Sequence, residues 1–230
     1  MPVKRPKALI DLTRHSYRNY SGKITPLGKA VAEIKGKNIP KKYDVLGRTS
    51  QIPRAIKTLE LIQKGARTNG VNRIKTKNPI EKALSEEVYL INKNKLAVQV
   101  KDYNLLLKQW LDGKLPKGAI KSPDFVFKNI FQKVILPEIR LVEIYRKGKP
   151  IYFPDITHDL IVALLFEKLT GIKYYSKFKN YPQPLEGTKL LIYPKKRNIK
   201  NDKTKVILIF RKEKYDVTSR IEEIRRTMKK

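Results

Sequence analysis

The segment ALIDLTRHS spans residues 8–16 and joins an apolar run to a pair of basic side chains. Short apolar runs bounded by polar residues are typical of buried strands, so we predict a first strand at 8–13. Arg14 and His15 follow that strand directly. In α/β proteins the functional site lies in the loops after the carboxyl ends of the strands. Arg14 and His15 are therefore candidate site residues.

The only other histidine of the chain lies in a similar segment, IYFPDITHDLIVALLF at residues 151–166. We predict a strand at 151–157, with Pro154 inside it, and a helix at 159–170 that Gly171 ends. His158 and Asp159 then lie at a second transition from strand to helix. Two scarce imidazoles in equivalent places predict one site that is assembled from two distant segments.

Strand-like and helix-like segments alternate along much of the remaining chain. Two helices are predicted to begin at a proline and to end at a glycine, from Pro26 to Gly36 and from Pro53 to Gly65. Further strands are predicted at 43–46, 71–76, 187–193 and 205–211, the last two as a hairpin. Further helices are predicted at 102–111, at 216–228 and from Ser122 onward, with a bend near Pro137.

This alternation predicts an α/β fold, a three-layer α/β/α sandwich with a mixed, mostly parallel sheet. The chain has 230 residues, of which 40% are hydrophobic, and that is enough to bury a core of this kind. We expect a single domain over residues 1–230, with a small helical cap inserted at about 78–148.

The composition excludes several kinds of site and setting. The chain has no cysteine, which excludes disulfides, thiolate nucleophiles and cysteine zinc sites. Its two histidines match no zinc motif, so we expect neither a metal nor another cofactor. No apolar run approaches the roughly 20 residues that span a bilayer, and the N-terminal residues do not resemble a signal peptide. We therefore expect a cytoplasmic protein without a membrane partner.

The net charge of +31 is large, with 52 lysines and arginines against 21 acidic residues. Such a charge is typical of proteins that bind nucleic acids. Here the lysines are spread along almost the whole chain, which favours a generally basic surface over one binding stripe. The charge would still attract small anionic substrates over a long range. The sequence gives no prediction of the oligomeric state.

Further arginines accompany the two histidines. Arg18 lies three residues beyond His15, and Arg54 lies near the start of the helix after the second strand. Guanidinium groups bind phosphate oxygens and stay charged. A neutral imidazole among them would be a good nucleophile, because positive charge lowers its pKa, and a nearby carboxylic acid could protonate a leaving oxygen. The site therefore predicts phosphate chemistry.

Four motifs, in this order, resemble those of the histidine phosphatase superfamily, which includes phosphoglycerate mutases and acid phosphatases. They are RHS at 14–16, ITPLG at 24–28, RTSQIPRAIKT at 48–58 and THDLIVALL at 157–165. The resemblance implies that His15 attacks phosphorus and carries a transient phosphohistidine. It also implies that the phosphoryl oxygens are held by Arg14, Arg18, Arg54 and His158. Arg18 matches a third arginine of the acid phosphatase branch, to which the motifs are most similar.

The proton donor has alternatives. The acid phosphatase branch places an aspartate directly after the second histidine, and this implies Asp159. The mutase-like branch uses a glutamate from the segment after the third strand, where this chain has Glu86 and Glu87. Asp159 is the first choice. The chain departs from the family at Ser16, where the motif usually has glycine.

The resemblance implies a metal-independent phosphomonoester hydrolase that acts on a small phosphorylated substrate. One alternative is a protein of the same fold that binds a phosphate ligand or nucleic acid without catalysis. A second alternative is a phosphotransferase similar to phosphoglycerate mutase. We expect Arg48 to be structural rather than a phosphate ligand. The aromatic and basic segment 173–179 could stack on nucleotide bases, although packing on the preceding helix is favoured.

Overall fold

The computed structural model describes residues 5–75, 80–92, 102–115, 118–145, 148–195 and 203–228. The strands are β1 (Ala8–Arg14), β2 (Asp44–Leu46), β3 (Arg48–Thr49), β4 (Ile74–Lys75), β5 (Ile151–Thr157), β6 (Gly187–Tyr193), β7 (Lys205–Phe210) and β8 (Glu213–Asp216). The α-helices are α1 (Pro26–Lys37), α2 (Pro53–Thr68), α3 (Tyr103–Leu111), α4 (Pro123–Ile130), α5 (Leu136–Ile144), α6 (Asp159–Thr170), α7 (Tyr174–Lys177) and α8 (Thr218–Thr227).

The strands form one mixed sheet in the order β4-β2-β5-β1-β6-β7-β8. β1 and β2 lie parallel to β5, and β4 lies parallel to β2. β6, β7 and β8 are antiparallel to their neighbours. The carboxyl ends of β1 and β5 are adjacent, because Arg14 pairs with Thr157. This register brings the two histidine segments to the same edge of the sheet.

Pro154 explains a break beside the central strand β5. β2 pairs with Ile151 and Tyr152, and β3 pairs with Asp155 and Ile156. Between them, Phe153 and Pro154 pair with β1 but have no partner among the described residues on the β2/β3 side. Proline has no N–H to donate to a sheet ladder. The neighbouring segment is therefore divided into two short strands, and the second of them leads directly into α2.

Helices cover both faces of the sheet. α1 and α2 pack on one face around a cluster that includes Ala32, Leu59, Ile62 and Tyr152. α4, α5, α6 and α8 contribute to a larger cluster on the other face, where α6 is buried almost all round. The predicted α/β/α sandwich with a mixed sheet is confirmed. Among the described residues, no helix is long and apolar enough to cross a membrane.

The predicted ends of α1 and α2 are wrong. α1 continues past Gly36 to Lys37, and α2 continues past Gly65 to Thr68. A Cβ on Gly36 would overlap the carbonyl oxygen of Ile62, and a Cβ on Gly65 would overlap that of Glu33. The two glycines therefore allow the two helices to cross at close range, and they do not end them.

Two other segments differ from the prediction. The strand expected at 71–76 is confined to Ile74–Lys75 among the described residues. The helix expected from residue 216 begins at Thr218, and the strand β8 precedes it. Arg211 and Lys212 form a tight turn with φ of 47° and 70°, which joins β7 to β8 as a hairpin. The sequence does not predict this turn, because neither residue is the glycine or asparagine typical of positive φ.

Near Pro137, where a bend or break is predicted, a π-helical segment, Phe131–Ile135, interrupts the α-helix between α4 and α5. Pro137 lacks the N–H that would reach the carbonyl of Lys133, four residues before it. Arg48 supplies the missing donor, with Nη1 3.1 Å from that carbonyl oxygen. The extent of a cap at about 78–148 stays a prediction. The turn of the hairpin between β6 and β7 lies largely outside the described residues.

Candidate active site

His15 lies where β1 ends, and hydrogen bonds fix its ring. Its backbone N–H donates to the carbonyl of Thr157, at 3.0 Å, so the ends of β1 and β5 are tied together. Its Nδ1 lies 2.8 Å from the carbonyl oxygen of Ser16, and Nε2 accepts a hydrogen bond from Nε of Arg54 at 2.9 Å. A carbonyl only accepts, so these partners assign the proton to Nδ1. Nε2 therefore carries no proton, and its lone pair accepts the bond from Arg54.

The surroundings keep His15 neutral. Burial, the largest cause, lowers the pKa of His15 together with the charges of Arg54, Arg14 and Arg18, while the bond to the Ser16 carbonyl opposes them, and the resulting pKa is about 3. The imidazole of His15 is therefore neutral over the whole physiological range of pH.

His158 lies beside His15, with ring centroids 5.3 Å apart. Its Nε2 is 3.1 Å from the hydroxyl of Ser50, and its Nδ1 is 3.3 Å from Oε1 of Glu86. Burial lowers the pKa of His158 well below its usual value, and His15 and the nearby arginines lower it further. The structure places the two histidines side by side. The sequence analysis did not identify Ser50 as a partner of His158.

The three predicted arginines have different surroundings. Arg54 stands in the first turn of α2, and its Nη2 is 3.4 Å from Glu86. Arg14 donates to the carbonyl of Pro182 at 2.6 Å and forms an ion pair with Asp159 at 3.1 Å. The Nε of Arg14 is buried and has no hydrogen-bond partner among the described residues. Arg18 is exposed, yet its charge lowers the pKa of His15.

Ser16 does not narrow the site. Its hydroxyl donates to the carbonyl of Gly28 at 2.7 Å, and its N–H donates to the hydroxyl of Thr58 at 3.1 Å. Both bonds run toward α1 and α2. Ser16 is not among the residues with positive φ. A side chain in place of the usual glycine is therefore accommodated here without strain, and it attaches the loop to the two helices.

Glu86 is positioned by two short 3₁₀ turns, Lys82–Leu84 and Glu86–Tyr89. Leu84 and Tyr89 are buried on either side of it in the larger core cluster. Thr157 donates to the carbonyl of Leu84 at 2.8 Å, which ties these turns to the end of β5. Glu86 is thereby held next to His158. Glu87 is exposed.

The two candidate acids differ in their partners. The Oδ1 atom of Asp159 accepts from the hydroxyl of Tyr103 at 2.7 Å and from the N–H of Leu160 at 2.8 Å, while Oδ2 pairs with Arg14. Burial, the largest cause, and the charge of Asp159 raise the pKa of Glu86 against the opposing effect of Arg54, and the resulting pKa is about 7. Glu86 is therefore the carboxyl that can hold a proton near neutral pH.

Arg48 takes no part in this site, as predicted. It pairs with Glu138, and its Nε lies 3.8 Å from Oδ1 of Asp155. It also donates to the carbonyls of Lys133 and Val134 at 3.1 Å. It is therefore a structural residue between β3 and the π-helical segment.

Two aromatic residues of the segment 173–179 pack inside the protein. Tyr174 and Phe178 of the segment 173–179 are buried against Phe166 and Phe210, so their favoured packing role is confirmed. The described residues contain no group of three or more histidine, aspartate or glutamate side chains that could hold a metal ion. Sequence reasoning missed Ser50, Thr58 and Tyr103, because their partners are distant in the sequence.

A scan of the sequence against protein-family models finds no match, and a search of curated proteins finds none. Solved structures do match. A protein described as mycobacterial hydrolase 2 gives a TM-score of 0.56 at 14% identity, over 95% of this chain and 97% of that chain. A mycobacterial glucosyl-3-phosphoglycerate phosphatase gives a TM-score of 0.52 at 16% identity, over 80% and 90%.

A phosphoserine phosphatase from Entamoeba histolytica gives a TM-score of 0.52 at 16% identity, over 81% of this chain and 91% of that chain. These similarities do not distinguish the acid phosphatase branch from the others. They show that the chain has the phosphoglycerate mutase-like fold.

Proposed function

We propose that this protein is a metal-independent phosphomonoester hydrolase in which His15 forms a phosphohistidine. The observation that carries the proposal is the unprotonated Nε2 of His15, whose lone pair accepts from Arg54 while Nδ1–H is held by a carbonyl. For attack on phosphorus, Arg54 would shift its N–H from Nε2 to a phosphoryl oxygen. The buried, unpartnered Nε of Arg14 is a further donor suited to a phosphoryl oxygen. Three guanidinium groups supply the positive charge that stabilises the transition state.

The reaction has two displacements. Nε2 of His15 attacks phosphorus, the bond to the leaving oxygen breaks, and a carboxylic acid gives its proton to that oxygen. Water then attacks the phosphohistidine, the carboxylate takes a proton from the water, and the P–N bond breaks to release orthophosphate. Arg14, Arg54 and His158 would hold the phosphoryl oxygens in both steps, with Arg18 at the mouth of the site.

We propose Glu86 as the proton donor in preference to Asp159. Its pKa near 7 lets it both give and take a proton near neutral pH. Asp159 is bound by Arg14, Tyr103 and a backbone N–H, so both of its carboxyl oxygens already have partners. Asp159 would then position Arg14 rather than donate a proton.

Solved structures of the same fold support a phosphatase. One is named as a glucosyl-3-phosphoglycerate phosphatase, which is also known in complex with inorganic phosphate, and another is a phosphoserine phosphatase in complex with phosphoserine. The substrates in their names differ although the fold is shared. We therefore infer that the surface around the site, rather than the fold, selects the leaving group.

The test is release of phosphate from p-nitrophenyl phosphate and from phenyl phosphate with EDTA present. We expect turnover by the unchanged protein and a loss of at least about a thousandfold in His15→Ala. Tyr20→Phe, at a fully exposed position of the neighbouring loop, is the control. Mass spectrometry after acid-free quenching should find a phosphoryl group on His15.

Three other results would contradict the proposal. Activity that EDTA removes would require a metal. Phosphate transfer to an added alcohol or sugar without hydrolysis would indicate the phosphotransferase. Binding of phosphate without turnover by the unchanged protein would indicate the non-catalytic alternative.

A further inference from the structure

A groove of about 550 Å³ opens beside Arg54, the residue that donates to His15. It lies between the loop after β1 and the first turns of α1 and α2. Its lining residues are Ser21, Gly22, Lys23, Ile24, Lys29, Ile52, Pro53, Arg54 and Lys57. Because Arg54 belongs both to this lining and to the candidate site, a substrate held at His15 would have its leaving group within reach of the groove.

One wall of the groove is built in advance of binding. The loop after β1 turns back on itself, with the N–H of Asn19 donating to the carbonyl of Lys23 at 2.9 Å and the N–H of Gly22 donating to the carbonyl of Asn19 at 3.0 Å. The side chain of Asn19 accepts from the N–H of Lys23 at 2.9 Å. Gly22 has φ of 80°, which this turn requires. Lys23 is therefore presented on an ordered turn.

The groove is strongly cationic. Lys23, Lys29 and Lys57 line it together with Arg54, and its described lining contains no carboxylate. Lys57 pairs with Glu60 at 2.8 Å, whereas Lys23 and Lys29 form no ion pair with a described residue. The N-terminus of α2 adds positive potential, since its N-cap is Ile52, which has no side chain to cap the first turn.

We propose that this groove binds a second anionic group on the leaving-group side of the substrate, so that the preferred substrates are phosphomonoesters with a further phosphate or carboxylate. Ile24, Ile52 and Pro53 give the groove an apolar side, which suits a carbon skeleton between the two charged groups. Lys23 and Lys29 bind the far charge, and Arg54 lies between that charge and the phosphoryl group. This inference rests on the proposed phosphatase function.

The test compares glucose 6-phosphate with glucose 1,6-bisphosphate, which share a sugar and differ in one phosphate. The unchanged protein should show kcat/KM about tenfold higher for the bisphosphate, mainly through a lower KM, which corresponds to about 1.4 kcal/mol of added binding free energy. The variant K23Q/K29Q should lose this preference, with a much smaller effect on glucose 6-phosphate. The control K37Q/K41Q removes the same charge outside the groove lining and should keep the preference.

Binding measured by calorimetry to His15→Ala separates this inference from the proposed function. If the unchanged protein hydrolyses neither these sugar phosphates nor p-nitrophenyl phosphate, the phosphatase proposal fails, while tighter binding of the bisphosphate that K23Q/K29Q removes still supports the groove. Equal kcat/KM and equal affinity for the two sugars would overturn the groove proposal, and so would a preference that survives in K23Q/K29Q. Displacement of the bisphosphate by a single-stranded oligonucleotide without terminal phosphates would assign the groove to nucleic acid instead.

Discussion

His15 and His158 are the same residue type in neighbouring places, yet their partners differ. His15 has a carbonyl on one nitrogen and a guanidinium on the other, so its Nε2 can only present a lone pair. His158 lies between a hydroxyl and Glu86, which can each donate or accept. The proposed nucleophile is therefore the ring whose proton is fixed, and the other ring suits the proposed contact with phosphoryl oxygens.

The role of Glu86 can be tested by the dependence on the leaving group. Glu86→Gln should lower kcat for an alkyl phosphate by about 10²–10⁴-fold, and should affect p-nitrophenyl phosphate much less, because nitrophenolate leaves without a proton. Asp159→Asn should lower both rates by a similar factor, since it loosens Arg14. If Asp159→Asn shows the leaving-group dependence and Glu86→Gln does not, Asp159 is the acid.

The pH profile gives a second test of the same residue. Glu86 has its pKa raised to about 7, so the protonated form is present below that pH and is lost above it. We expect kcat/KM for an alkyl phosphate to fall above about pH 7, and this fall should be absent in Glu86→Gln. Ionisation of the substrate is common to both proteins and cancels in their ratio. An alkaline fall that persists in Glu86→Gln would contradict the assignment.

His15 links the site to stability. Its pKa is about 3 in the folded protein, against 6.5 for an ordinary histidine. The unfolded chain therefore takes up a proton as the pH falls below about 6.5, while the folded protein does not. His15 thus contributes a loss of stability between about pH 6.5 and pH 3. In His15→Ala, unfolding by urea should show a weaker pH dependence over this interval.

Among the helices and strands, the crossing of α1 and α2 depends on Gly36 and Gly65. Alanine normally stabilises a helix by about 1 kcal/mol relative to glycine, but here a Cβ would overlap a backbone carbonyl of the facing helix. We expect Gly36→Ala and Gly65→Ala to lower the free energy of unfolding by about 1–3 kcal/mol, measured by urea denaturation. Gly148→Ala, whose nearest neighbour is 3.6 Å away, is the control. Equal effects at all three positions would argue against close packing.

The contact between β3 and the π-helical segment depends on Arg48. This guanidinium neutralises Glu138 and donates to two carbonyls that include the one left free by Pro137. Removing one partner of a buried ion pair costs about 3–5 kcal/mol, so Arg48→Met should lower the melting temperature strongly. Arg48→Met/Glu138→Leu should recover part of the loss. Wild-type stability in Arg48→Met alone would show that the pair contributes nothing.

For the protein as a whole, the net charge of +31 predicts that substrate capture depends on salt. Positive potential over the surface speeds the approach of a phosphate ester, and ions screen it over about 8 Å at physiological ionic strength. We expect kcat/KM to fall about three- to tenfold between about 0.01 and about 0.15 M NaCl, with kcat nearly constant. Sucrose of equal osmolarity controls for solvent effects. A salt-independent kcat/KM would mean that only the local arginines attract the substrate.

Much of this architecture can be predicted from local patterns. β1, β5 and α6 are largely apolar runs, and such runs predict burial because removing apolar side chains from water is favourable. The place of His15 and His158 follows as well, since parallel neighbours end at the same edge of a sheet. Arg14 and Arg54 were found in the same way, as residues next to those ends.

Apart from the meeting of the two histidine segments, side-chain contacts between distant segments could not be predicted. The short turns that hold Glu86 are set by Leu84, Tyr89 and Thr157, and Tyr103 reaches Asp159 across 56 positions of sequence. Burial raises the pKa of Glu86 and lowers that of His15, and burial is a property of several packed segments together. The local sequence therefore determines the residue types and their order along the chain. The protonation states, and with them the proposed choice of Glu86 over Asp159 as proton donor, are set only when the segments pack and exclude water.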